Sequence, residues 1–391
     1  MANSLDLVIC HPYLIMKGGG DRCILELAKR FTPVIYTHTY LPEDTFKEFA
    51  EFDVRVIKKS PIEPLFNAAA SRDSDARTPL LIGSGLRYFP FKIKHDYDVV
   101  NPHGVPSEWV ALRNKRVCWY CQSPCRAAYD LYPKMMKERG LFGKAIIFTA
   151  ATAFKMGESL VIPKIERICT NSKTTEERIR KYLGRNDAEI VHPGVDTGLF
   201  RCESYGKYFL CVSRILPEKR FEIAIEAFRN FSKKKKGYKL VIAGFIDTSQ
   251  RNRQYFASLQ KAARGLSVEF KLNPAEDSLE KLYANCFATL FCAINEDWGL
   301  VPVESMASEK PCISVNEGGP RESIVNGRTG FLVNSVEEMA EKMKFLAEHP
   351  NECEKMGRNG RKRVLQNYTW KIFLDKMDKA FRETAKGKSS S

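Results

Sequence analysis

Glu296 and Glu304 stand eight residues apart in the stretch NEDWGLVPVESMA. Gly299 lets the chain turn between them, and Pro302 suits the first turn of a new helix. Carboxylates in that setting accept hydrogen bonds from sugar hydroxyls, while a helix start with unpaired N–H groups attracts phosphate. The plainer reading is one surface glutamate and one placed by the helix dipole. A second cluster is Ser213-Arg214, followed five residues later by Lys219-Arg220. A guanidinium and an ammonium beyond a strand's carboxyl end can clamp a diphosphate, though a solvated basic loop is the commoner fate of such residues. A third cluster is Gly18-Gly19-Gly20. Three glycines let the backbone approach a ligand and turn N–H groups toward an anion, or they simply form a turn. They lack the later glycine of the dinucleotide fingerprint. His11 and His103 lie near strand ends and are reserve candidates for contact with substrate.

Three patterns mimic sites. Asp73-Ser74-Asp75 has the D-x-D form of metal-dependent transferases, but it follows Ala68-Ala69-Ala70-Ser71-Arg72 rather than an apolar strand. Cys118, Cys121 and Cys125 have ligand-like spacing but no fourth ligand, and Cys118 sits in an apolar run. Lys233 to Lys236 reads as a solvated face. No metal is expected.

These residues need strands and helices to hold them. Apolar runs at Leu5–Cys10, Val34–Tyr36, Val54–Ile57, Asp98–Asn101, Lys115–Tyr120 and Arg167–Thr170 alternate with helical patterns such as Asp21–Phe31 and Lys173–Leu183. A second series begins at Tyr208–Val212 and continues through Phe221–Phe231, Lys239–Ala243, Ala288–Ala293 and Pro311–Val315. Helical patterns follow at Val336–Glu348, Pro350–Asn367 and Trp370–Thr384. Alternation of this kind predicts an α/β fold with two doubly wound parallel sheets. The polar segment Asp196–Lys207 separates them. The expected division is 1–196, 197–367, and a C-terminal piece, 368–391, in which a helix packs back on the first domain before a disordered tail.

A chain of 391 residues supports two domains, and its net charge of +15 points to an anionic partner. Phosphorylated small molecules and an acidic membrane fit; nucleic acid does not, because the basic residues are dispersed and carry no binding motif. Twelve cysteines and an N-terminus without a secretory pattern predict a reduced, cytoplasmic setting. The most apolar stretch, Leu141–Pro163, is interrupted by Lys144, Lys155 and Glu158. It reads as an amphipathic or buried helix, with no span crossing a membrane. Arg87 to Lys94 (RYFPFKIK) interleaves aromatics with cations, which suits a peripheral contact with anionic lipid or else a buried strand.

The motifs GGGDRCILELAKRF, WYCQSPCRAAYDLY, CTNSKTTEERIRKYLG, VHPGVDTGLF, SRILPEKRFEIAIEAF, EDWGLVPVESMASEKPCI, NEGGPRESI and MGRNGRKRVLQNYTW run in order along nearly the whole chain. Together they resemble the retaining family-4 glycosyltransferases, nearest the mannosyltransferase-like subgroup. The resemblance implies the GT-B fold, two facing Rossmann-like domains with a cleft between. It implies transfer of a hexose, mannose favoured, from a GDP- or UDP-linked donor to a lipid-linked or saccharide acceptor, without a metal. Glu296 would contact the donor sugar and Glu304 the ribose. Backbone around Trp298, Gly299 and Leu300 would meet the sugar and phosphates. Arg214 and Lys219 would hold the diphosphate, and Gly19 would close on the donor or acceptor. Two positions depart from the family: Ser213 replaces the usual glycine, and Gln122 replaces a histidine near the reacting sugar. Glutamine cannot take a proton, so it could only position the sugar. Nucleotide-sugar 2-epimerases share the fold and are the alternative.

Overall fold

The computed structural model describes residues 5–59, 85–137, 139–246 and 249–387. Two compact units form: Met1–His192 with Leu374–Ser391, and Pro193–Phe373.

In the first unit, β1 (Leu7–Cys10), β3 (Val34–Thr37), β5 (Val54–Val56) and β6 (Val99–Pro102) make a parallel sheet in the order β5-β3-β1-β6. The short strands β2 (Tyr13–Leu14) and β4 (Thr39–Tyr40) pair separately. β7 (Cys118–Cys121), β8 (Arg167–Thr170) and β9 (Glu189–Ile190) extend the main sheet through bridges Val100–Val117 and His103–Tyr120. Connecting helices are α1 (Gly19–Phe31), α2 (Tyr132–Lys137), α3 (Leu141–Val161) and α4 (Lys173–Leu183). Ser172 starts α4 by accepting a hydrogen bond from the Thr175 N–H, and Gly184 ends it at φ +68°. The pattern-based boundaries of α4 thus coincide with its caps.

In the second unit, six parallel strands are ordered β12-β11-β10-β13-β14-β15. They are β10 (Tyr208–Val212), β11 (Lys239–Gly244), β12 (Val268–Leu272), β13 (Ala288–Phe291), β14 (Cys312–Val315) and β15 (Gly330–Val333). Phe209 and Cys211 bury into one apolar cluster while Leu210 and Val212 bury into another. Both faces are therefore covered, which is why the strand reads as an unbroken apolar run. The helices are α5 (Phe221–Lys234), α6 (Gln250–Ala262), α7 (Glu276–Asn285), α8 (Leu300–Ala307), α9 (Pro320–Ser323), α10 (Val336–Glu348), α11 (Pro350–Asn367) and α12 (Trp370–Ala385). Sequence periodicity misses β12 and β15. Both lie at sheet edges, and β12 (VEFKL) is only partly buried, so it lacks the apolar signature of a central strand.

From Leu374 onward α12 belongs to the first unit. Phe381 packs edge-on against Phe31, and Asp375 and Glu383 pair with Arg30 and Arg167.

Two stretches bear on lipid contact. In the Arg87–Lys94 stretch Tyr88 and Ile93 are buried and Phe91 packs partly against the core, Phe89 is exposed, and the Arg87 guanidinium donates to the His38 carbonyl at 2.9 Å. By contrast, Leu141–Lys164 is long and apolar enough to cross a membrane. Lys144, Lys155 and Glu158 do not interrupt it, because Glu158 is buried against the unit and the lysines flank one side.

That burial has a consequence. Glu158 accepts a 2.5 Å hydrogen bond from the Tyr129 hydroxyl, and Glu108 is fully buried close by. Burial pushes the Glu158 carboxyl up to about 7 and raises Glu108 well above the usual carboxylate range. The folded chain then holds protons that the unfolded chain has released. Stability is greatest below the unfolded carboxylate range and falls as pH rises through about 7. Denaturant titrations between about pH 5 and 7 should show this decline, on the order of 2 kcal/mol. Glu158→Gln should flatten it; an unchanged slope would place the titrating group elsewhere.

Candidate active site

In the second unit the strand order departs in opposite directions from β10 and β13, which are parallel neighbours. Ligands of open α/β sheets bind beyond the carboxyl ends of the strands at such a switch point. Arg214 and Lys219 follow β10, and Glu296 follows β13. The Lys219 ammonium donates to Glu296 Oε2 at 2.6 Å, with the two side chains 14% and 27% exposed. The loops are stitched by backbone as well, since the Ile294 N–H donates to the Glu218 carbonyl at 3.0 Å. Arg214 is exposed.

Gly299 caps α8 at φ +84°, a left-handed conformation that favours glycine, and Leu300 begins the helix. The Trp298 ring turns into the core against Tyr368, 5.1 Å between centroids, with Val303, Met306 and Val364 around it. Trp298 can therefore offer a ligand backbone rather than its ring. Glu304 Oε2 accepts from the Tyr283 hydroxyl at 2.7 Å. Burial, then the neighbouring Glu304 charge, raises Tyr283 well above its usual range, so the hydroxyl keeps its proton and fixes the carboxylate.

The Glu296 loop rests on two glycines from the next β-α turn. Gly318 has φ +62°, and a Cβ there would stand 2.3 Å from the Glu296 carbonyl oxygen. A Cβ at Gly319 would stand 2.4 Å from the Trp298 carbonyl oxygen. The Gly319 N–H donates to the Glu296 carbonyl at 2.8 Å. The paired glycines of NEGGPRE thus serve as a flat seat for the loop that carries Glu296.

In the first unit the strand order likewise divides between β1 and β6, and His11 and His103 follow those strands. His11 Nδ1 lies 2.8 Å from the His103 carbonyl, and its Nε2 lies 3.2 Å from Asp21 Oδ1. Asp21 Oδ2 accepts from the Gly18 N–H at 3.1 Å, closing the glycine loop onto the first turn of α1. Gly19 is exposed in that turn. His103 is fully buried, bonded through Nε2 to Asn101 Oδ1 at 2.6 Å, and burial lowers its pKa well below the usual range. It is held neutral and stacks on Tyr120. Gln122 lies directly over Gly20, where a Cβ would come within 2.5 Å of its amide oxygen. Its carbonyl accepts from Asn171 Nδ2 at 2.9 Å.

The structure thus joins Lys219 with Glu296, and His11 with His103. It also gives two residues contacts that sequence reasoning did not assign. Asp21 was signalled by its place three residues after Gly18. Arg220, at φ +50°, donates to the Cys292 carbonyl at 2.8 Å and pairs with Glu317 at 3.0 Å, a role no local pattern shows. Among the described residues no group of three or more His, Cys, Asp or Glu is arranged to hold a metal. Cys118, Cys121 and Cys125 are buried free thiols. Asp73 and Asp75 lie outside the described residues. Lys235 and Lys236 line a groove at the amino ends of β10 and β11, away from the switch point. Gly318→Ala should cost about 1–3 kcal/mol from the strained φ and the clash, read as a thermal-melting shift of several degrees. A wild-type melting curve would show that the loop is not seated on this glycine.

Residues 203–363 match the family described as glycosyl transferases group 1. Over 96% of its length the chain is 25% identical to the alpha-1,3/1,6-mannosyltransferase ALG2 of Dictyostelium discoideum, covering 97% of that protein. It is also 25% identical to the human ALG2, covering 95% of this chain and 94% of the relative. Among solved structures, a sucrose-phosphate synthase from Thermosynechococcus elongatus superimposes with a TM-score of 0.75 at 17% identity, covering 97% of this chain and 98% of that one. Anabaena Alr3699/HepE in complex with UDP and glucose gives 0.72 at 15% identity, covering 97% and 99%. At that identity the structural likeness shows the fold, and the sequence matches give the class. Residues 203–363 thus carry a glycosyl transferases group 1 match, the chain as a whole is similar to the ALG2 mannosyltransferases, and its fold is the GT-B fold of its solved neighbours.

Proposed function

We propose that this chain moves mannose from a nucleotide-diphosphate sugar, GDP- or UDP-linked, onto a lipid-linked or saccharide acceptor during glycan assembly. The observation that carries the reading is the 2.6 Å Lys219–Glu296 pair beyond neighbouring strands at a topological switch point. It sets a cation suited to a diphosphate beside a carboxylate suited to sugar hydroxyls. The ALG2 mannosyltransferases, aligned over almost the whole chain, support mannose. They also favour transfer over the epimerase alternative.

In this mechanism Arg214 and Lys219 bind the diphosphate and stabilise the charge that develops as it leaves. Glu296 accepts from the donor sugar's hydroxyls, and Glu304, held by Tyr283, accepts from the ribose. The backbone of Gly299 and Leu300 at the start of α8 meets the phosphates. The bond between the anomeric carbon and the diphosphate oxygen breaks while the acceptor oxygen bonds to that carbon on the same face. The acceptor's proton passes to the departing diphosphate, so no side-chain base is required. Gln122 positions the sugar through hydrogen bonds, and the His11–Asp21 pair with Gly19 braces the glycine loop. We place the chain at a cytosolic membrane surface, where its +15 charge suits anionic lipid.

Labelled GDP- and UDP-sugars, incubated with and without membrane lipid extract, should give free nucleotide and a glycosylated product, GDP-mannose foremost. Sugar interconversion without transfer would favour the epimerase. Lys219→Ala and Glu296→Ala should each lower kcat/KM about 100-fold or more while the melting temperature stays within a few degrees. Wild-type turnover in either variant would overturn these roles.

A further inference from the structure

α3 has two unlike sides. Ile147, Ala150, Ala151, Phe154 and Val161 are buried, with Phe154 against Trp109 at 5.6 Å between ring centroids. Gly157 lets the helix press on the same indole, since a Cβ there would come within 2.3 Å of it. The other side is open. Leu141 is 88% exposed, Phe142 73%, Phe148 58%, Met156 66% and Leu160 59%. Between them stand Ala145, Thr149, Thr152, Ala153 and Ser159, all exposed and uncharged. At 100° per residue the five large side chains fall within about 120° of one another, a single stripe about 30 Å long. Isolated apolar side chains are ordinary on a surface, but a continuous stripe of this size marks an interaction site.

The charges narrow the partner. The one acidic residue of the helix, Glu158, is buried on the far side. Lys144 and Lys155 are eleven residues apart, which places both on one margin of the stripe, within about 20° of each other. Lys134 and Lys137 of α2 are exposed just upstream, and Lys164 just downstream. An uncharged apolar face bordered by lysines, with no exposed carboxylate on the helix itself, fits the boundary between anionic headgroups and acyl chains. A second copy of the chain would present the same lysines to one another. The helix has the length to cross a bilayer, but its inner side is committed to the core around Trp109, so crossing would expose Glu158 and dismantle that packing.

We propose that α3 lies in the plane of an anionic membrane surface, with Leu141, Phe142, Phe148, Met156 and Leu160 inserted among the lipids and Lys144 and Lys155 on the headgroups. The proposal rests on the lipid-side reading of function above and replaces Arg87–Lys94 as the contacting element.

The test uses the full chain with phosphatidylcholine vesicles, with and without phosphatidylserine. Wild type should co-sediment with the anionic vesicles, and less so as salt rises. Phe142→Ser/Phe148→Ser/Met156→Ser should lower that partitioning about ten-fold or more with an unchanged melting temperature. A separate Phe148→Trp variant should shift its emission to the blue on binding. Wild-type vesicle binding by the triple variant, or bound protein with unshifted Trp emission, would overturn the proposal. So would a wild-type dimer that ignores vesicles and falls to monomers in the triple variant. Transfer to a water-soluble saccharide acceptor reports the active site separately. Its retention in the triple variant, alongside lost vesicle binding, supports α3 as the membrane contact. Wild type that inserts Phe148 but transfers no sugar would support the surface and defeat the functional reading.

Discussion

The donor side of this protein depends on two missing side chains. Gly318 and Gly319 let the turn after β14 lie flat beneath residues 296–298, closer than any Cβ permits. That seat holds the Glu296 backbone through the Gly319 N–H, and so directs the Glu296 carboxylate to Lys219. Lys219 in turn is held by the short turn between β10 and α5, which the Glu218 carbonyl ties to Ile294. Three successive β-α loops therefore brace one another by backbone contact. A half-buried ion pair contributes little stability by itself. Its value here is placement: both charges are fixed before a ligand arrives, so less ordering has to occur on binding.

Both units repeat one geometric device. Each sheet turns its strand order around a central parallel pair, β1 with β6 and β10 with β13. Each places polar side chains just beyond the carboxyl ends of that pair. The chemistry differs between them. The second unit presents a cation and carboxylates suited to a diphosphate and hydroxyls. The first presents a histidine tied to an aspartate, a buried neutral histidine and a glutamine packed on a glycine turn. Gln122 cannot accept a proton, so in the proposed mechanism the first unit orients the reactants and the leaving diphosphate takes the proton.

Much of this was legible in the residues. Central strands such as YFLCV announce themselves because both faces are buried, and α4 and α10 carry serine caps that fix their first turns. Edge strand β12 did not, since a half-exposed strand loses the apolar run, and the short buried β15 (GFLV) was missed as well. Lys219 and Glu296 could be chosen as candidates by their places after strands, but their pairing across 77 residues is a product of the sheet order. Arg220 is visible in the sequence only as part of a basic pair, because its partners, the Cys292 carbonyl and Glu317, come from distant loops. At Arg87–Lys94 the sequence left lipid contact and burial both open, and Tyr88 and Ile93 are buried while Phe89 is exposed. At α3, which the sequence reads as amphipathic or buried, helical geometry gathers the exposed apolar residues into one face.

The central claim is that the Lys219–Glu296 pair marks where the donor binds. A crystal structure of the chain with a nucleotide-diphosphate mannose tests it most directly. The diphosphate should lie within hydrogen-bonding distance of Arg214 and Lys219, the sugar hydroxyls against Glu296, and the ribose against Glu304. A nucleotide bound away from the carboxyl ends of β10 and β13, with the Lys219–Glu296 pair untouched, would contradict the account.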